Sequence, residues 1–204
     1  MSSARGIILE IKRRLGDVNA SVPDETDILA YLNSALRGIW NYAIEIDSPR
    51  VETSERVVTD AAGVVRLLYR PVRVTKVVDT DNRRELPKVS PRGAAELETW
   101  ANYRGMYAYY DTLTGVQIIQ SDDSEGGNLR IAYYPEYQLL VDRDTELPFA
   151  SVIDDVVAAW TVNLITTGRS LTTSDMGGAG VPLSSLVEYL EGHSPEHYIG
   201  YGPW

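Results

Sequence analysis

The sequence predicts an α+β fold: long antiparallel helices packed with a small antiparallel β-sheet, followed by an extended C-terminal tail. Three observations predict it. Helical periodicity of apolar residues is confined to 4–44 and to the stretch after Pro148. Val-rich, alternating runs fill the middle of the chain. Strand and helix patterns never alternate regularly, which argues against a doubly wound parallel sheet.

Residues 4–15 place Ile7, Ile8, Ile11 and Leu15 on one stripe, opposite Lys12, Arg13 and Arg14, as a short amphipathic helix does. After a loop with Pro23, Asp24 or Thr26 is positioned to cap a second helix over 26–44. Its apolar positions run Ile28, Leu29, Leu32, Ala35, Leu36, Ile39, Trp40 and Ala43, with Asn33, Arg37 and Asn41 on the opposite face. Strands are expected at 51–59, 64–69 and 72–78, consecutive and antiparallel, separated by Asp60–Gly63 and Arg70-Pro71. Pro91 suits the first position of a short helix reaching about Trp100. Three more strands fit 106–111, 115–120 and 129–134. Ser151 with Asp154 three residues on resembles a capping box for a third strong helix, which Gly168 terminates. A final short helix is expected near 182–191, ending at Gly192.

Composition bounds the function. The 204 residues contain no cysteine, so neither a disulfide framework nor a thiolate metal site is available. No apolar run approaches the roughly 18–20 residues of a membrane span, and MSSARGIILEIKRR lacks the layout of a signal peptide. The expectation is a soluble protein made in a reducing cytoplasm. Net charge is −10, distributed unevenly: residues 51–110 hold 10 basic and 8 acidic side chains, residues 111–204 hold 3 and 14. An acidic chain is repelled by phosphate backbones, which disfavours tight nucleic-acid binding. Surfaces of opposite sign suit a head-to-tail contact between identical subunits.

Chemistry is sparse. The only histidines, His193 and His197, flank Pro195, so their spacing does not make a helical zinc pair. Asp122, Asp123 and Glu125 lack the ligand register of a calcium loop, and Asp142, Asp144 and Glu146 read as a polar loop before a helix. The glycines at 177, 178 and 180 follow no strand and precede no Lys-Ser or Lys-Thr. No catalytic residue, cofactor or metal is nominated. A carboxylate-dependent metal hydrolase using Asp122, Asp123, Asp142 or Asp144 is the enzymatic alternative, and a regulatory binding module is another. Tyrosine is abundant, with 13 residues against one phenylalanine. Tyr107, Tyr109, Tyr110, Tyr133, Tyr134 and Tyr137 suit an interface, where a ring is buried and its hydroxyl finds a partner, or else stand in for Phe in a thin sheet. In the tail, Tyr198, Ile199, Tyr201 and Trp204 are the candidate partner-binding anchors.

Taken in order, DETDILAYLNSALRGIW, VRVTKVVDTDNRRELPKVSPRG, IAYYPEYQLLVDRDTELP and SVIDDVVAAWTVNLITTG resemble the head-to-tail adaptors (head-completion, tail accessory factors) of tailed bacteriophages. The resemblance covers residues 5–168 in segment order and rests on no single motif. It implies an adaptor-like α+β domain over 1–168, followed by a linker, short helix and aromatic tail over 169–204. It further implies a non-enzymatic virion protein of the neck, between capsid and tail, synthesised in the host cytoplasm. Such proteins form a homo-oligomeric ring of about twelve copies beneath the portal protein. The ring extends the DNA channel, lets double-stranded DNA pass without specific binding, and offers a platform to the tail or nozzle protein. Tyr198, Ile199, Tyr201 and Trp204 would then meet the portal. Another neck or tail-terminator protein shares the same physics. No membrane is involved in either reading.

Overall fold

The computed structural model describes residues 3–17, 20–97, 105–120, 126–168 and 183–192. The chain divides into two compact units: unit 1 comprises residues 1–50 and 137–204, and unit 2 comprises residues 51–136. The fold is mixed, with helices in unit 1 and mainly antiparallel strands in unit 2. Among the described residues no helix is long and apolar enough to cross a membrane.

Unit 1 contains α1 (Ala4–Asp17), α2 (Glu25–Glu45), a 3₁₀ turn (Ser151–Ile153), α4 (Asp154–Thr167) and α5 (Leu183–Glu191). The α2 N-terminus is capped by Asp24, whose carboxylate accepts the Asp27 N–H at 2.9 Å. Helix α4 packs on both α1 and α2. Its buried residues, Val156, Val157, Ala158, Trp160, Thr161 and Leu164, surround much of its circumference, as a central helix requires. The expected capping box is not made. The chain first takes the 3₁₀ turn, burying Ile153, and α4 starts from Ile153 with no side-chain cap. Burial of Ile153 fixes where the turn begins, and Ser151 stays exposed. Gly168 ends α4 in the left-handed conformation, φ 63°, its N–H donating to the Leu164 carbonyl.

Helix α5, expected within the C-terminal 169–204 stretch, belongs to the core of unit 1. Leu186 and Leu190 are fully buried, and Ser48 Oγ donates to the Leu190 carbonyl at 2.6 Å. Arg50 lays its guanidinium over the Tyr189 ring, 4.7 Å from the centroid, and donates to the Tyr189 carbonyl. The residues flanking α5, 169–182 and 193–204, lie outside the described ones, and so does the extended tail.

Unit 2 holds β1 (Thr53–Thr59), β2 (Val64–Arg66), β3 (Pro71–Asp79), β4 (Arg84–Glu85), α3 (Pro91–Leu97), β5 (Met106–Thr112), β6 (Gly115–Gln120) and β7 (Gly127–Pro135). Instead of one small sheet there are two, ordered β1-β7-β3-β4 and β2-β6-β5. The first three strands do not pair consecutively: β1 and β3 flank β7, and β2 pairs with β6. The nine-residue β7 buries Leu129, Ile131 and Tyr133 almost completely, and a strand with that much inward apolar surface is stabilised by a partner on each edge. The two inner faces share one core, including Val65, Val77, Met106, Val116, Ile118 and Ile131. Close backbone approach requires glycine at 115, where a Cβ would meet the Val65 carbonyl oxygen of β2. Pro91 does open α3, and Ser90 Oγ accepts the Gly93 N–H at 3.0 Å; the expected end near Trp100 lies outside the described residues.

Candidate partner-binding surfaces

The outer face of the three-stranded sheet is covered at one end and open at the other. At the covered end Ala94 of α3 packs on Ala108 and Ile119, all nearly fully buried. Towards the open end, β2 points Val64, Arg66 and then Leu68 outward, since Val65 and Leu67 face the core. Arg66 pairs with Gly115, and the Leu67 N–H donates to the Thr114 carbonyl, which brings the segment after β2 alongside the β5–β6 turn that holds Leu113. Val64, Leu68 and Leu113 are 52, 75 and 70 % exposed. Large apolar side chains that stay in water at one end of a sheet mark a contact surface.

The backbone beneath this strip is held firmly. The Glu55 carboxylate accepts the Leu68 N–H at 3.1 Å and also the Tyr133 hydroxyl. That hydroxyl in turn accepts the Tyr69 N–H at 3.4 Å. Burial, then the hydrogen bond to Glu55, push the Tyr133 phenol well above its ordinary range, so it stays a neutral donor. Leu68 is therefore exposed on a preorganised backbone, which lowers the ordering cost of docking.

Several residues singled out in the sequence lie elsewhere. Tyr198, Ile199, Tyr201 and Trp204, and with them His193, His197, Asp122 and Asp123, are outside the described residues. Of the strand tyrosines, Tyr109, Tyr133, Tyr134 and Tyr137 are buried and belong to the core, the second of the two roles the sequence offers them, and Tyr110 is half-buried. Two of the hydroxyls find internal partners, that of Tyr133 on Glu55 and that of Tyr137 on Asn33. Burial, with Asp111 and Glu85 nearby, pushes the Tyr109 phenol up to about 12. Asp142 closes its own turn, accepting from the Asp144 N–H and Thr145 Oγ1 at 2.9 Å each; those bonds, Thr145 first, hold its carboxyl below the usual range. Among the described residues no three His, Asp or Glu side chains gather as a metal site would require.

The surface of unit 1 carries an ionic lattice around α1. Glu10 accepts from Arg13 at 2.7 Å and Arg14 at 2.6 Å, and Arg14 also reaches Asp155 of α4 at 2.8 Å. Glu25 accepts from Lys12 at 2.8 Å and Arg143 at 3.3 Å. Hydrogen bonds from Arg13 and then Arg14 hold the Glu10 carboxyl down at about 2, and Lys12 lowers that of Glu25. A carboxyl depressed in the fold stabilises it above the unfolded value and loses that contribution as pH falls through the folded one. Melting temperature should therefore drop between about pH 4.5 and pH 2. Glu10→Gln should melt lower at neutral pH and show a shallower acid dependence; thermal melts at a series of pH values check this, and parallel curves would contradict it.

Searched against known proteins, the chain matches no protein-family model and no curated protein.

Proposed function

We propose that this protein is a non-enzymatic virion structural component, a head-to-tail adaptor that assembles as a ring beneath a portal. The ring would extend the DNA channel and present a platform for tail attachment. The exposed Val64, Leu68 and Leu113, with the Leu68 N–H held by Glu55, carry the assembly part of the reading, because exposed apolar side chains of this size are stabilised by a protein partner. The adaptor part rests on the order and character of the segments from the N-terminal helices through the strand region to the small-residue helix 151–168. The mechanism is templated assembly: contacts between free copies are incomplete, and the portal supplies the remainder. Tyr198, Ile199, Tyr201 and Trp204 then insert into the portal as anchors.

The test is the mass of the purified full chain in solution, alone and with a portal ring. A monomer that converts to a stoichiometric ring on the portal is expected. Deletion of 193–204, or Leu68→Asp with Leu113→Asp, should abolish ring formation without changing the far-UV spectrum. A stable small oligomer indifferent to the portal would overturn the proposal.

A further inference from the structure

The outer face of the four-stranded sheet has a feature that its own unit does not neutralise. Arg56 of β1 stands directly opposite Arg130 of β7, and the inner faces of both strands are turned to the core. Like charges directly across a ladder are destabilising. Neither guanidinium forms an ion pair with a described residue, and described carboxylates of the same unit are engaged elsewhere. Glu52 accepts from Thr75 Oγ1 at 2.5 Å, Glu55 holds Tyr133 and Leu68, and Glu85 pairs with Lys76 at 3.0 Å. Beside Arg56 on the same face, Val58 is 76 % exposed.

The complementary surface is on the other unit of the same sequence. Unit 1 carries 8 basic against 16 acidic side chains, whereas unit 2 carries 11 against 13. Its loop 141–146 exposes Asp142, Asp144 and Glu146, and the only base in it, Arg143, is turned to Glu25. Asp144 and Glu146 pair with no described base. Val141, at the head of this loop, is 81 % exposed. The first surface thus has two uncompensated positive charges and the second three uncompensated negative ones, each beside an exposed valine.

We infer that the Arg56–Arg130 face of one copy takes the acidic 141–146 loop of a second copy, giving the head-to-tail contact that closes a ring. This rests on the ring reading and names the contact that the reading leaves open. The contact is heterologous, so it repeats from copy to copy, and its charges select the neighbour's loop over its own kind.

The absence of cysteine from the sequence makes a direct trap possible. Full-length Val58→Cys and Val141→Cys chains, mixed and oxidised, should give mixed disulfides about tenfold in excess of either homodimer, falling as salt screens the contact. Arg56→Glu with Arg130→Glu in the first chain should remove the excess. Asp144→Lys with Glu146→Lys in the second should restore it, which a merely misfolded variant would not allow. No excess, no effect of charge reversal, or no restoration overturns the inference. So does reversal that abolishes binding of a duplex DNA probe while leaving the cross-link intact. Ring formation on the portal is scored separately. If the unmodified chain forms no ring, the assembly reading falls and this contact with it; if charge-reversed chains form rings undiminished, only this contact falls.

Discussion

Trp160→Ala is expected to cost about 3–5 kcal/mol of stability, read from urea unfolding followed by helical circular dichroism. Trp160 sits at the middle of α4, 3 % exposed, where α4 crosses α2. Its ring lies in a notch made by Gly38, where an added Cβ would stand 2.9 Å from the ring's Cζ2 and 3.1 Å from its Cη2. Glycine in a helix interior costs about 1 kcal/mol relative to alanine, so the packing it permits must be worth more than that. Removing the ring leaves a void against α2 that the remaining side chains cannot fill by small adjustments. The converse substitution acts on the same notch: Gly38→Val forces the helices apart or the ring out of place, costing roughly 1–3 kcal/mol. A loss below about 1 kcal/mol for Trp160→Ala would mean the interface collapses without penalty, and would contradict the packing described.

Gly38 also illustrates what the sequence could convey. The apolar stripe of α2 is legible from spacing alone, and so is the cap at Asp24, because both are local. Spacing does not say that Gly38 is a notch, since nothing local distinguishes a tolerated glycine from one that admits a partner's ring. The strands behave in the same way. Alternation along β1 and most of β7 reveals which residues share a face, and the positions of β1, β3, β6 and β7 follow closely from the runs themselves. It does not reveal neighbours, and the pairing of Thr53 with Tyr133 spans too much chain for any turn signal to indicate it. For the same reason a single sheet is expected where there are two. The strand tyrosines were ambiguous because a phenol can be buried wherever an acceptor is waiting, and the acceptors Glu55 and Asn33 are distant in sequence. The exposed strip was within reach: Val64 and Leu68 share parity in VVRLL, but parity alone cannot say which face lacks a cover.

The last of these hidden acceptors carries the second large effect. Asn33→Ala should destabilise the protein by roughly 3–5 kcal/mol, although spacing assigns Asn33 to the polar face of α2. Its amide behaves like a short piece of β-ladder for the segment after β7. Nδ2 donates to the Leu140 carbonyl at 3.0 Å, and Oδ1 accepts the Leu140 N–H at 2.8 Å and the Tyr137 hydroxyl at 3.0 Å. Leu140 and Tyr137 are 5 and 8 % exposed, so the groups left behind have little access to water. Each such orphan costs about 1–3 kcal/mol, whereas Asn41→Ala, on the exposed side of the same helix, should stay within about 0.5 kcal/mol. The Tyr137 ring also packs at a tilt against Trp40, which contacts Phe149 as well, with centroids 6.0 and 5.8 Å away. Loss of the amide should therefore free Tyr137 and weaken the near-ultraviolet signal of that aromatic group. Asn33→Asp separates the two halves of the amide: it keeps both accepted bonds but sets a carboxylate against the Leu140 carbonyl. Its stability should lie between wild type and alanine at low pH and fall as the carboxyl ionises. Equal stability of the alanine and wild-type chains would mean that solvent reaches Leu140 freely.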